Sequence, residues 1–203
     1  METPEEGHQA YCETLARKAQ CGNWTKLLIP TFRLDENLQN NISTVYYSAM
    51  IEGENPLSIV GTGQGVVDAL FGSLVESLSP RFLSLNQLEF EDFALRVSFA
   101  EARHRARTDA PVEVCLTISS SPFYKTFFRH ESVSLVSASI EVVRKSVEYF
   151  INLEKAFFLL RGDVVSAGQR DRQDLIIEAS SNIVEIVKII SFEEILEGKG
   201  NID

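Results

Sequence analysis

The sequence predicts an α+β fold made of a duplicated β-β-β-α unit, with extra helices at its N- and C-termini. Three observations carry this. Alternating apolar and polar residues, the period of a half-buried strand, occur in two groups of three short runs. Each group is followed by apolar residues at helical spacing. Two further amphipathic stretches lie outside this duplication, one before it and one after it.

Met1–Gly7 reads as a frayed, acidic start, followed by a short helix over His8–Gln20 that Gly22-Asn23 ends. Trp24–Leu34 carries Leu27, Leu28, Ile29 and Phe32 but is interrupted by Pro30, which removes a ladder donor and marks an edge strand. Asp35–Asn41 is a polar turn, and Ile42–Glu52 is a second strand with Val45, Tyr46, Tyr47 and Ile51. Gly53-Glu54-Asn55-Pro56 turns the chain back into Leu57–Gly61. Val66–Leu78 then places Val67, Leu70, Phe71, Leu74 and Leu78 on one helical face, and Ser79-Pro80 stops it.

The second unit repeats the order. Leu88–Phe99 alternates, with Phe93, Leu95, Val97 and Phe99 on the apolar face, and Ala100–Asp109 is a basic hairpin connection. Pro111–Ser119 alternates again, Ser119-Ser120-Ser121-Pro122 is a turn, and Phe123–Phe128 is the third strand. Leu135–Leu160 is a long helix with Val136, Ile140, Val143, Val147, Phe150 and Ile151 along one side. Asp163–Asp171 reads as a polar linker. Arg172–Glu197 is a last amphipathic helix, which must bury its apolar face against its own domain or a second copy of the chain. The expected divisions are an N-terminal helical extension over 1–22, the duplicated domain over 23–161 (units 23–80 and 81–161), and a linker with C-terminal helix over 162–203.

Composition narrows the functional classes. The 203 residues have a net charge of -10, so a nucleic-acid backbone or an anionic membrane surface would be repelled. No apolar run is long enough for a transmembrane helix, and the start has no apolar signal region. Three cysteines without a CxxC spacing fit free thiols in a reducing cytoplasm. Three histidines are present: His8 in the loose start, His104 among arginines, and His130 after the third strand of the second unit. No HxH or HExxH occurs, so no catalytic residue, metal site or cofactor is expected.

The stretch Ile59–Phe71 is the strongest candidate site. Gly61, Gly63 and Gly65 alternate with Thr62 and Gln64 between a strand end and a helix start. Such a turn either brings backbone N–H groups close to a small polar ligand or lets strand and helix pack closely. It is not a dinucleotide fingerprint, because Val66 stands where the third glycine belongs and the strands around it read as hairpins. It also lacks the Lys-Ser/Thr of a P-loop.

The run Gly61-Thr62-Gly63-Gln64-Gly65-Val66-Val67-Asp68-Ala69 resembles the Gly-x-Gly-x-Gly-Pro-Val-Asp-Ala signature of the C-terminal regulatory domain of 2-isopropylmalate synthase, which citramalate synthase also carries. The resemblance runs from about Trp24 to Phe157. It includes Asp109-Ala110 before the strand Val112–Ile118 and Leu135-Val136-Ser137-Ala138-Ser139, similar to that family's second helix start. It implies a non-catalytic regulatory module of the leucine-biosynthesis type, a homodimer, with a small branched-chain amino acid or related acid as effector near the helix starts. The effector-binding residues it implies are Gly61, Gly63, Gln64, Gly65, Val67, Asp68, Ala69, His130, Ser137 and Ala138. The catalytic barrel of those enzymes is missing, which makes a separately encoded synthase-type enzyme the implied partner. The sequence departs from the family at Val66, in place of its proline, and at Phe128–Ser134, in place of its second glycine turn. An interaction subunit that docks on such an enzyme without any ligand is the alternative.

Overall fold

The structure is a computed structural model and describes residues 3–97, 111–121 and 124–190. Its elements are α1 (Pro4–Ala19), β1 (Leu27–Asn37), β2 (Ile42–Ile51), β3 (Leu57–Gly63), α2 (Val66–Leu78), a 3-10 turn (Leu83–Gln87), β4 (Glu89–Val97), β5 (Val112–Ser121), β6 (Tyr124–Ser132), α3 (Leu135–Gln169) and α4 (Gln173–Ile189). The strands form two three-stranded antiparallel sheets, β1-β2-β3 and β4-β5-β6, each followed by its own helix. The α+β class and the duplicated order are those that the periodicity predicts.

Each sheet is joined to its helix by one buried face. In the first sheet the alternation of β2 buries Ser43, Val45, Tyr47, Ala49 and Ile51. The register sets Val45 opposite Gly61 and Tyr47 opposite Ile59, so β3 continues that face, and α2 covers it with Val67, Leu70, Phe71 and Leu74. In the second sheet Val114, Leu116 and Ile118 of β5 face α3. α3 also packs on α1, α2, α4 and β1, and its Val142, Val143, Val147, Phe150, Ile151 and Leu153 are fully buried. It is the central element of the core.

Several element boundaries differ from the sequence reading, for identifiable reasons. α1 starts at Pro4, not His8, because Thr3 and Glu6 form a capping box in front of it: Glu6 N–H donates to the Thr3 hydroxyl at 3.2 Å and Thr3 N–H to the Glu6 carboxylate at 2.9 Å. α1 ends at Ala19, a little before the expected Gly22-Asn23, and the chain turns away at Cys21-Gly22, where Cys21 takes φ 51° and Gly22 N–H reaches back to the Arg17 carbonyl at 2.9 Å. β1 runs on to Asn37, with a register shift between Leu28 and Thr31 around Pro30. α3 continues to Gln169, so most of the expected linker Asp163–Asp171 is helix, held by the burial of Ala167 beneath α4. Ser119, Ser120 and Ser121 are strand residues, not a turn. α4 ends at Ile189, because Ile190 is extended, and so stops short of the expected Glu197. The expected basic connection over 100–109 with His104, residues 122–123 and everything beyond Ile190 lie outside the described residues.

One expectation fails in an informative way. Phe93, Leu95 and Val97 lie opposite Leu116, Val114 and Val112, on the helix-facing side of the sheet, yet Leu95 and Val97 are exposed. α3 covers β5 and β6 but does not reach over the outermost strand. No helix among the described residues is long and apolar enough to cross a membrane.

Candidate functional site

The glycine stretch folds as a joint between β3 and α2. Gly61 and Gly63 are the last inward-facing positions of β3, and α2 passes directly over them. A Cβ built on Gly63 would lie 2.5 Å from the Ala69 nitrogen and 2.6 Å from Asp68 Oδ2. One on Gly61 would lie 2.5 Å from the Ala69 carbonyl oxygen and would also strike the Ser73 side chain. At each glycine one of these contacts is the backbone of Ala69, which cannot move aside as the end of a flexible side chain would. The two glycines therefore let the helix sit on the strand at a distance no other residue permits.

The polar groups of the joint are used locally. Asp68 accepts from the Gln64 N–H at 2.9 Å, and Ala69 N–H bonds to the Gly65 carbonyl at 3.0 Å. Ser73 donates to the Ala69 carbonyl at 2.6 Å and meets the Tyr47 hydroxyl at 3.0 Å. Burial pushes the Tyr47 phenol up to about 12, so it stays a neutral hydrogen-bonding group. Val67 and Ala69 are buried, and Gln64 and Asp68 are exposed. Gly65 differs from its two neighbours: a Cβ there would meet nothing within 4 Å.

The second turn is built differently. His130 lies on β6 opposite Val114, half-buried against α3, and its Nδ1 accepts from Lys145 Nζ at 3.0 Å. Burial, then the Lys145 charge, lowers its pKa from the ordinary histidine value, which favours the neutral ring. Ser134 caps α3 by accepting from the Ser137 N–H at 3.2 Å, while Ser137 is exposed and Ala138 is fully buried. No hydrogen bond among the described residues joins the first turn to the second. Two concavities lie elsewhere. One, of about 830 Å³, opens between the end of α1, the bulge of β1 and the Glu141–Glu148 face of α3. The other, of about 350 Å³, lies between α1, α3 and α4.

His8 is not in a loose start. It sits on α1, with Nε2 at 2.8 Å from Glu185 of α4 and Nδ1 against the Tyr124 hydroxyl of β6. Cys12 lies one turn on, its Sγ 3.6 Å from His8 Nε2. A cysteine, a histidine and a carboxylate thus come together, but the thiol is fully buried and pushed up to about 12, first by desolvation and then by the Glu185 charge. A thiol so far from ionising is a poor nucleophile. The cluster pins α1 to β6 and α4. Among the described residues no group of three or more His, Cys, Asp or Glu is placed to hold a metal ion.

Sequence reasoning also misses a set of polar side chains that close strand edges. Gln9 of α1 donates to the Phe127 carbonyl at 3.0 Å and accepts from the Phe127 N–H at 2.8 Å, standing in for a neighbouring strand along β6. Asn152 of α3 does the same for Thr25, at 2.9 Å to both its N–H and its carbonyl. Glu148 takes the Leu27 N–H at 2.8 Å and the Trp24 indole N–H at 2.9 Å, while Arg144 donates to the Leu27 carbonyl at 3.0 Å. The available signal was the row Arg144, Glu148, Asn152 at four-residue spacing on an otherwise apolar helix face. No protein-family model matches the chain, and no curated protein matches it in a sequence comparison.

Proposed function

We propose that this chain is a non-catalytic assembly module of the regulatory-domain type, working in the cytoplasm through self-association and through docking on a separately encoded synthase-type enzyme. The observation that carries this reading is the filled glycine joint. Gly61 and Gly63 give their space to α2, so the feature that most resembles an effector site is occupied by the protein's own backbone. The acidic surface, with a net charge of -10, and the exposed apolar residues of β4 suit a protein partner better than an anionic small molecule. Thermal-shift titration with leucine, isoleucine, valine and the matching 2-oxo acids should leave the melting temperature unchanged, and affinity purification from the native host should recover a second protein. A saturable shift with any of these acids, together with recovery of the chain alone, would overturn the proposal.

A second reading keeps the effector. Gly65 faces open space at the start of α2, where first-turn N–H groups suit a carboxylate. A leucine- or isoleucine-dependent shift that Gly65→Val removes while the fold persists would favour it.

A further inference from the structure

The two sheets present four outer edges, and they are treated unequally. The edge of β6 is closed at Phe127 by the Gln9 amide, beside an ion pair in which the Arg129 side chain donates to Glu6 at 2.5 Å. The entry of β1 is closed by Asn152 on Thr25 and by Glu148 and Arg144 on Leu27, and beyond it Pro30 offers no donor. Among the described residues no side chain bonds to the backbone of β3 or β4. The β3 edge, Leu57–Gly63, has no charged residue and ends in glycines, so it specifies no pairing register.

The β4 edge does. Its helix-facing row leaves Phe90 41%, Leu95 47% and Val97 43% exposed, an apolar strip that stops at the open edge. Its opposite face carries Asp92, Ala94 and Arg96. We propose that β4 pairs antiparallel with β4 of a second copy of this chain about a two-fold axis at Ala94, joining the two sheets into one six-stranded sheet.

Over Asp92–Arg96 this register is self-complementary on both faces. Asp92 stands opposite Arg96 of the second copy, and the two-fold axis repeats the pair. Phe93 stands opposite Leu95 of the second copy on the helix-facing side, where the sheet continues the surface that α3 leaves bare. Ala94 meets its own equivalent at the axis, small enough for close approach. Among the described residues Arg96 pairs with Glu113 alone, at 3.5 Å, and Asp92 has no ion-pair partner. The caps on Phe127, Thr25 and Leu27 block pairing at those points, while β4 is uncapped among the described residues and carries the self-matching pattern. The inference rests on the reading of the chain as a self-associating module.

Sedimentation velocity on the full chain over a range of concentrations tests it. The natural sequence should form dimers. Arg96→Asp sets like charges opposite each other twice and should weaken the dimer about tenfold or more, from two cross-strand pairs changed from attraction to repulsion. Asp92→Arg combined with Arg96→Asp restores both pairs with exchanged signs and should recover the affinity. Both variants disturb Glu113 equally, so a purely intrachain role of Arg96 predicts no recovery. A dimer that Arg96→Asp leaves unchanged, or a double variant as weak as the single one, overturns the β4 surface while self-association stands. A monomer at every concentration overturns both.

Discussion

Replacing Gly63 by alanine adds one methyl group at the most crowded point of the β3–α2 joint. It would meet the Ala69 nitrogen at 2.5 Å, Asp68 Oδ2 at 2.6 Å and the Ala69 Cα at 2.9 Å. Asp68 can rotate away, but its bond to the Gln64 N–H would then be lost. Ala69 is backbone within a helix whose Leu70 and Leu74 are fully buried, so relief requires α2 to move off β3. Overpacking of this kind costs about 2–3 kcal/mol. In a chain of this size that lowers the melting temperature by roughly 5–10 °C. Gly72→Ala is the matched control, since it lies in the same helix with nothing within 4 Å of the added carbon. It should stabilise by about 0.8–1 kcal/mol, the helix-propensity difference. Urea unfolding followed by circular dichroism measures both. If Gly63→Ala unfolds within about 0.5 kcal/mol of the natural chain, a resolution reachable for paired variants, the joint has slack. The glycine would then be serving something other than packing, and the effector reading would gain.

Other outcomes follow from the same contacts. Gln9→Ala uncovers both backbone groups of Phe127 and should cost about 1–3 kcal/mol in urea unfolding; a cost near zero would mean that water replaces the amide fully. Glu148→Gln should redden and quench the fluorescence of Trp24, the single tryptophan, because the indole N–H loses its charged acceptor; an unchanged spectrum would refute that bond. His130 has a lowered folded pKa, so the unfolded chain binds more protons below the ordinary value of 6.5. Its contribution is complete above that pH and is lost as pH falls, and His130→Gln should flatten the acid limb of the stability profile; an unaltered limb would place the titration elsewhere. Exposed Cys21 should react first with a thiol reagent, Cys115 more slowly because burial raises its pKa, and Cys12 only on unfolding; early labelling of Cys12 would show that the α1 contacts open readily.

The cores of the six strands and four α-helices among the described residues were legible in the sequence, because each rests on local spacing. The alternation of Val45, Tyr47, Ala49 and Ile51 and the helical spacing of Val67, Leu70, Phe71 and Leu74 are periodicities that the backbone imposes on neighbours in the chain. The glycine turn was legible as a special place for the same reason. Its use was not, since open backbone and close packing ask for the same residue, and only the position of Ala69 over Gly63 separates them. The capping box at Thr3 is a local signal of the same kind, and it sets the helix start four residues before His8. The extension of α3 to Gln169 was not readable, because α4 supplies the burial that keeps those polar turns helical.

By itself, then, the sequence determined the α+β class, the duplicated order and the place of the β3–α2 joint, all set by steric and hydrophobic rules that act within a few residues. Tertiary structure alone decided that α3 is the centre of the core and that His8 binds three elements together. It also decided that Gln9 and Asn152 close two strand edges, while no side chain among the described residues bonds to the backbone of β4. These depend on side chains brought together across more than a hundred residues, such as Gln9 with Phe127 and Thr25 with Asn152, and no local pattern records which distant backbone group a polar side chain will meet.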